Sequence, residues 1–155
     1  MHKSILTFMM FIILFSLTGC GGDGESNGNQ EVTFKRVSDQ TGIFEFDENG
    51  KDYLVLGKDS MSYKLKHEPT VNIERFESMI ISDECFAEEL CVDWRLDERG
   101  AKQYADIMRR NLGEQIFYVV DGVIVAAPNV NGIVKTGQGQ FPIRKMDFDS
   151  LFVKK

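Results

Sequence analysis

Short β-prone runs separated by turn sequences dominate the first half of the chain. Within them, apolar side chains either alternate with polar ones or follow one another directly, as in strands of a sheet. Because the turn sequence Asp47-Glu48-Asn49-Gly50 separates two of these runs, residues 43–56 are predicted to form a hairpin. Further on, residues 83–90 are predicted to form a short helix with Asp83 near its cap. The runs predicted to be strands are residues 32–37, 42–46, 53–56, 61–66 and 71–75.

A half-buried strand and the clearest helix follow. Every second residue of 91–96 is apolar, and this alternation places Trp94 in the core. Asp97 can then cap a helix over residues 98–112, and Gly113 can end it in the left-handed conformation. The apolar positions that recur at helical spacing are Ala101, Tyr104, Ala105, Met108 and Leu112.

Two apolar runs, residues 115–120 and 123–127, are joined by Asp121-Gly122, a dipeptide that favours a two-residue hairpin turn. Both runs are apolar on both faces, which predicts a central place in a sheet with the helix packed on it. Pro128 ends the second run, and a strand pair around residues 133–143 with a frayed tail completes the pattern. The predicted fold class is α+β, a mixed or antiparallel sheet with one main helix.

The N-terminus carries a different pattern, a basic start followed by an apolar run over residues 5–17. A helix of that length covers about 20 Å, less than the roughly 30 Å hydrocarbon core of a bilayer. This favours a cleavable signal peptide over residues 1–19. The run ends in Leu17-Thr18-Gly19-Cys20, which resembles the lipobox of bacterial lipoproteins, where the cysteine is acylated and begins the mature chain. The alternative is an uncleaved anchor helix with an incidental cysteine.

Acylated Cys20 would hold the mature chain on a membrane through a tether. Residues 20–30 are polar and glycine-rich, as in flexible linkers, and residues 31–155 are expected to form a single domain. Because Gly21 rather than Asp follows the cysteine, resemblance to Gram-negative sorting favours the periplasmic side of the outer membrane. In a Gram-positive source the expected place is the outer face of the cytoplasmic membrane.

The mature chain is acidic. Removal of residues 1–19 takes away Lys3, so 17 basic and 24 acidic side chains remain and the formal charge is −7. This charge argues against nucleic acid as a partner. The acids concentrate in residues 83–98, which are interpreted either as a solvated surface or as an acidic docking face.

Two cysteines remain beside the lipidated one, in an exported and therefore oxidising setting. A bridge between Cys85 and Cys91 would close a very short loop, and it requires the chain to bend between them. The alternative is a pair of buried free thiols.

Residues 100–128 contain an ordered set of motifs: a Gly-Ala pair before the helix, Asn and Gly at its end, the Asp-Gly turn and a closing Ala-Pro. In this order the stretch resembles the head subdomain of the first extracytoplasmic domain of SecD, a subunit of the bacterial preprotein translocase. Weaker similarity covers about residues 67–143, including Gly137-Gln138-Gly139-Gln140. The residues that carry the resemblance are Gly100, Ala101, Asn111, Gly113, Asp121, Gly122, Ala127 and Pro128.

The resemblance implies a fold and a polypeptide-handling surface. Met108, Phe117 and Ile143 depart from the family, which usually has Thr, a small residue and Gly at these places, and a short tail replaces the helix that should follow. The SecD membrane helices that couple export to the proton gradient have no counterpart here. The motif residues are helix ends and turns, so they are interpreted as structural.

The sequence indicates no catalytic residue, metal site or cofactor. His67 is the one histidine of the mature chain, and with two cysteines it does not supply an ordinary metal site. Ser60 and Ser62 lie near His67 without a nucleophile-elbow pattern. The adjacent acids Glu88-Glu89 point apart on a helix and are poor acid–base partners. We therefore expect a protein that is not an enzyme.

Two functions from different classes remain. The first is a non-enzymatic lipoprotein whose SecD-head-like domain binds polypeptide or a protein partner near the membrane, in export or envelope maintenance. Addition of a strand to a sheet edge is one physical route. The second is an inhibitor or immunity-type lipoprotein that binds one basic target through the acidic residues 83–98, an interaction that salt would weaken.

Overall fold

A computed structural model describes residues 30–155 apart from residues 37, 83, 84, 86 and 87. Within these residues the chain forms two β-sheets, two α-helices and a short 3-10 turn. The predicted α+β class is confirmed, with strands outweighing helices. The predicted signal peptide, Cys20 and the tether before residue 30 lie outside the described residues.

The first sheet contains five antiparallel strands with the spatial order β10-β7-β6-β1-β11. In chain order they are β1 (Gln30–Phe34), β6 (Phe76–Ser82), β7 (Glu89–Leu96), β10 (Gln138–Arg144) and β11 (Phe152–Lys154). The strand β10 therefore lies at one edge of this sheet, and the C-terminal strand lies beside the N-terminal one.

The second sheet contains six strands with the order β4-β3-β9-β8-β2-β5. It is mixed, because β3 and β9 run parallel while its other pairs are antiparallel. In chain order the strands are β2 (Gly42–Phe44), β3 (Phe46–Val55), β4 (Lys58–Leu65), β5 (Val71–Asn72), β8 (Phe117–Val120) and β9 (Val123–Ala126).

The six-stranded sheet curls back on itself. Only Glu45 separates β2 from β3, yet β8 and β9 lie between these two strands in the sheet order. The strands β2 and β3, which follow each other along the chain, therefore pair with the two outer sides of the β8–β9 hairpin. A small second core lies inside the curled sheet. Its fully buried side chains are Phe44, Tyr53, Leu65, Phe117, Val119 and Ile124.

Trp94 lies at the centre of the main core, between the two sheets. Its indole packs against the rings of Phe76, Tyr104 and Tyr118, with centroid separations of 5.8, 5.1 and 5.6 Å. Gly139 on the neighbouring strand leaves room for the indole, since a Cβ at this position would overlap the ring. The predicted core position of Trp94 is confirmed.

The main helix, α1, spans Glu98–Arg110, and the predicted cap is confirmed because the Asp97 side chain accepts a hydrogen bond from the Gly100 N–H at 2.6 Å. The predicted apolar stripe was wrong at its end. Leu112 is 58% exposed because the helix has already stopped, whereas Ile107, outside the stripe, is fully buried.

The Asp121-Gly122 hairpin is confirmed, and it occupies the centre of the six-stranded sheet. Both turn residues have positive φ, 49° and 81°, as a type I′ turn requires. A neighbouring loop holds the turn: the Asp121 N–H donates to Thr41 Oγ1 at 3.0 Å and the Gly122 N–H donates to the Gln40 carbonyl at 3.0 Å.

We predict that Gly122→Val lowers the free energy of unfolding by more than about 1 kcal/mol, because a β-branched residue is strained at positive φ. No atom lies within 4 Å of a Cβ built on Gly122 or on Gly132, and only Gly122 has positive φ. Gly132→Val is therefore a matched control that should unfold like the wild type in urea. Equal stability of the two variants would contradict the turn assignment.

The hairpin predicted over residues 43–56 was wrong. The strand β2 pairs with β5 and β8, whereas β3 pairs with β4 through a turn at Leu56-Gly57. The polar sequence at 47–50 forms a bulge inside β3, where the Asn49 N–H donates to the Asp47 side chain at 3.0 Å. Local turn chemistry is thus present, but the chain does not reverse there.

The C-terminal prediction was also wrong. Residue 138 begins a single strand that pairs with β7, not a strand pair, and helix α2 (Lys145–Leu151) and β11 follow it instead of a frayed tail. The cause is apolar burial, because Phe148 and Phe152 stack at 5.2 Å and are each only 2% exposed.

Cys85 and Cys91 are joined by a disulfide, with their Cα atoms 5.3 Å apart. This separation is within disulfide reach, whereas two positions six apart in an unbroken helix would be about 9 Å apart. The predicted helix over residues 83–90 is wrong at its last two positions, because Glu89 and Leu90 pair with β10 as part of β7. Residues 83, 84, 86 and 87 of that stretch lie outside the described part.

Candidate functional site

A groove of about 490 Å³ lies where the two sheets meet. Most of its lining comes from three places: the end of β9 with the residues that follow, the turn between β3 and β4, and β10. Single residues of β7, β8 and α2 complete it. Most of its wall is apolar, including Leu56, Val125, Ala126, Phe141 and Ile143. Its position and size suit one or a few side chains of a bound partner.

Two stretches of consecutive residues border the groove. Four consecutive residues, 125–128, line it on one side, and five consecutive residues, 140–144, line it on the other. Since alternate side chains of a strand point to opposite faces, consecutive residues can share a groove when the backbone edge itself borders it. The β10 edge is the outer edge of its sheet.

The floor of the groove is aromatic and uncharged. The ring of Tyr118 stacks on Phe141 with centroids 5.6 Å apart, and the hydroxyls of Tyr118 and Tyr104 share a buried hydrogen bond of 2.8 Å. Burial raises the pKa of both hydroxyls above their usual range, so both stay protonated at neutral pH.

Charges at the groove balance one another. Arg144 donates to the Asp147 carboxylate at 2.6 Å, and its guanidinium lies against Gly57 in the turn between β3 and β4. The other two charged lining residues, Lys58 and Glu89, have opposite signs. The groove therefore carries no net charge.

The residues that carry the sequence resemblance fall into two groups. Ala127 and Pro128 line the groove. The others lie at helix ends and turns, and two of them are packed closely: Gly100 meets the Arg75 side chain, and Ala101 lies against Gly137. This second group consists of Gly100, Ala101, Asn111, Gly113, Asp121 and Gly122.

Asn111 takes part in a buried polar cluster around Glu45, whose side chain is only 6% exposed. The carboxylate accepts hydrogen bonds from Lys66 Nζ at 2.6 Å, Thr70 Oγ1 at 2.9 Å, Arg110 Nη2 at 3.0 Å and Asn111 Nδ2 at 2.8 Å. Burial raises the pKa of Glu45, but these hydrogen bonds outweigh it and lower the pKa to about 2. The cluster joins the end of α1 to the junction of β2 and β3.

Sequence reasoning did not single out this cluster or the groove. The sequence nevertheless contains a signal for the cluster and a signal for the groove. Glu45 interrupts the apolar run Gly42–Phe46, and a charged side chain at such a position needs partners if it is buried. Pro142 interrupts a strand-prone run, and proline within a sheet indicates an edge strand.

The histidine and the two serines that were considered as catalytic residues lie in different parts of the structure. Ser60 and Ser62 are exposed on β4, whereas His67 follows that strand and lines a separate, polar groove with Ser38 and Glu68. Among the described residues, no group of three or more His, Cys, Asp or Glu side chains is placed to hold a metal ion.

The acidic stretch 83–98 does not form one continuous face in its described part. Asp93 on β7 accepts a hydrogen bond from Gln140 at 2.8 Å. Asp97 caps α1 and pairs with Arg75 at 2.9 Å. Glu89 begins β7 and Asp97 follows its other end, and the strand between them extends over about 23 Å. No helix in the part of the chain that the structure describes is long and apolar enough to span a membrane.

No protein-family model matches the chain. The protein translocase subunit SecD of Acidaminococcus fermentans is 39% identical over 49 residues, which are 32% of this chain and 12% of that protein. SecD of Desulfurispirillum indicum is 26% identical over 131 residues, which cover 79% of this chain and 22% of that protein. The chain thus covers less than a quarter of either relative.

A solved structure of SecDF, a membrane component that enhances protein export, superposes with a TM-score of 0.51 and 15% identity. The superposition covers 73% of this chain and 55% of that chain, and it shows a shared fold. The resemblance to a SecD domain therefore extends over most of the chain, beyond the residues 67–143 that the sequence motifs indicated.

Proposed function

We propose that the protein is a non-enzymatic envelope lipoprotein whose SecD-like domain binds polypeptide or a protein partner close to the membrane, in protein export or envelope maintenance. One observation carries this proposal: a neutral, apolar groove lies along a free sheet edge, and Ala127-Pro128 of the SecD-like stretch forms part of its wall. Apolar grooves beside free edges suit extended polypeptide, because the edge supplies main-chain hydrogen bonds and the groove takes side chains.

The similarity to translocase subunits also supports polypeptide binding in the groove. The relatives are named for protein translocation, and the solved structure is of a protein that enhances export. Since this chain covers a small part of each relative, the proposed role is restricted to holding polypeptide.

Membrane attachment through Cys20 is the second part of the proposal, supported by the lipobox-like sequence at residues 17–20. Cys20→Ala should leave an unprocessed precursor and abolish labelling of the protein by a clickable palmitate analogue in cells. Cys85→Ala serves as the control and should be labelled like the wild type. Equal labelling of the Cys20→Ala variant would exclude acylation at this residue.

Filling the groove tests the binding function. Ala126 is a partly buried residue of the groove wall, so Ala126→Trp should occupy the space that a client side chain needs. The full chain, purified from membranes, should bind a reduced and carboxymethylated protein, which is permanently unfolded. We expect Ala126→Trp to weaken this binding by about tenfold or more, a loss of roughly 1.4 kcal/mol.

Ser60→Trp is the matched control, because it adds the same side chain at an exposed position on β4 that does not line the groove. This variant should bind like the wild type. Both variants should keep wild-type circular dichroism. Unchanged binding by a folded Ala126→Trp protein, or no binding by the wild type, would reject the groove as a polypeptide site.

A further inference from the structure

The outer edge of β10 presents a defined set of backbone groups. In an antiparallel strand the N–H and C=O of one residue point to the same neighbour, and successive residues alternate. The Gly137 carbonyl accepts from the Leu96 N–H at 2.8 Å, and the Lys145 N–H donates to the Glu88 carbonyl at 3.0 Å. Odd-numbered residues of β10 therefore pair with β7, and even-numbered residues face outward.

Before Arg144, which also faces outward but is the N-cap of helix α2, the outward-facing residues of the strand are Gln138, Gln140 and Pro142. The two glutamines offer both an N–H and a C=O, whereas Pro142 offers only its C=O. Because its nitrogen faces outward, Pro142 leaves the ladder with β7 complete, which explains how a proline is accommodated opposite Cys91. Over residues 138–142, an added strand would find two donors and three acceptors.

The groove borders this edge through residues 140–144. The other strands at sheet edges lack this combination. The two-residue β5 and three-residue β11 are short, and β4 exposes Lys58, Asp59 and Lys64, charges of the kind that protect edges from pairing. Among the described edge strands, β10 borders the apolar groove over five consecutive residues, whereas β4 reaches it only at Lys58.

We propose that an extended polypeptide segment adds to the outer edge of β10 as a sixth strand and seats alternate side chains in the groove. This inference rests on the proposed polypeptide-binding function and specifies its chemistry. The groove has no net charge, since Arg144 is paired with Asp147 and Lys58 is offset by Glu89. The complementary segment is therefore uncharged and apolar at the positions that enter the groove.

Gln140→Pro tests the edge directly. It removes the outward N–H of Gln140 and leaves the β7 ladder intact, as Pro142 already does. Gln140→Ala is the matched control, because it removes the same side chain, including its hydrogen bond to Asp93, and keeps the N–H. With the carboxymethylated protein as probe, we expect Gln140→Pro to bind about tenfold more weakly and Gln140→Ala to bind like the wild type.

Hydrogen–deuterium exchange of the wild-type protein gives a second test that depends on no variant. Saturation with the probe should slow exchange at the Gln138 and Gln140 amides, while the Phe141 amide, already paired with β7, should change little. Exchange that is unchanged at both glutamines, or wild-type binding by a folded Gln140→Pro protein, would overturn strand addition. If Ala126→Trp still abolished binding in that case, the groove function would stand without the edge. If neither Gln140→Pro nor Ala126→Trp weakened binding, both strand addition and the groove function would be rejected.

Discussion

Replacing Glu45 with alanine is expected to lower the free energy of unfolding by about 3 kcal/mol at neutral pH. The carboxylate is buried and accepts hydrogen bonds from Lys66, Thr70, Arg110 and Asn111. Its removal leaves these donors facing one another at the junction of β2 and β3. Lys66 and Arg110 are about half-exposed and can regain water, which limits the loss.

The destabilisation caused by Glu45→Ala should depend on pH. The folded-state pKa of Glu45 is about 2, below its ordinary value of 4.5, so its ionisation stabilises the fold above the ordinary pKa. This contribution is lost as the pH falls from about 4.5 through 2. Urea unfolding should therefore show the largest difference between wild type and variant at neutral pH and a smaller one near pH 2. Glu48→Ala, at an exposed position in β3, should show neither effect. A stability difference that does not change with pH would contradict the proposed role of the charge.

Gly139→Val is expected to destabilise the fold by about 3 kcal/mol, at the upper end of what overpacking costs. A Cβ at this position overlaps the indole of Trp94, and the rings of Phe76, Tyr104 and Tyr118 surround that indole. Movement of the indole away from position 139 would disturb its contacts with these rings. Gly132→Val, in open space, is the control and should unfold like the wild type.

A double-mutant cycle identifies the cause of this loss. Trp94→Phe removes the part of the ring that a side chain at position 139 would strike. Gly139→Val should therefore cost less in the Trp94→Phe background than in the wild type, with a coupling free energy of about 1 kcal/mol or more. If denaturant unfolding showed that the losses of unfolding free energy from the two substitutions are strictly additive, Gly139 would be required for another reason.

Some elements could be predicted from the sequence because they depend on local chemistry. Asp97 and Asp121-Gly122 act through their immediate neighbours, so the helix start and the central hairpin turn were predicted correctly. The sequence at 47–50 has the same kind of local signal, yet it forms a bulge because β3 continues beyond it to pair with β4. The partner of a strand is a non-local property that turn residues do not encode.

The candidate site was less predictable for the same reason. Its walls come from residues 125–128 and 140–144, which belong to different sheets, and its position depends on how those sheets pack. Glu45 similarly gains its partners from positions 21 to 66 residues further along the chain. Phe148 and Phe152 were assigned to a frayed tail because their burial depends on the same distant packing.

Site-specific photocrosslinking in cells tests the central claim, that the groove beside β10 holds polypeptide. A photoreactive amino acid is placed at Lys58, on the rim of the groove, or at Lys64, an exposed lysine on the same strand that does not line it. We expect crosslinks to polypeptide clients from position 58 of the membrane-bound protein and few from position 64. Equal crosslinking from the two positions, with both proteins folded and membrane-bound, would contradict it.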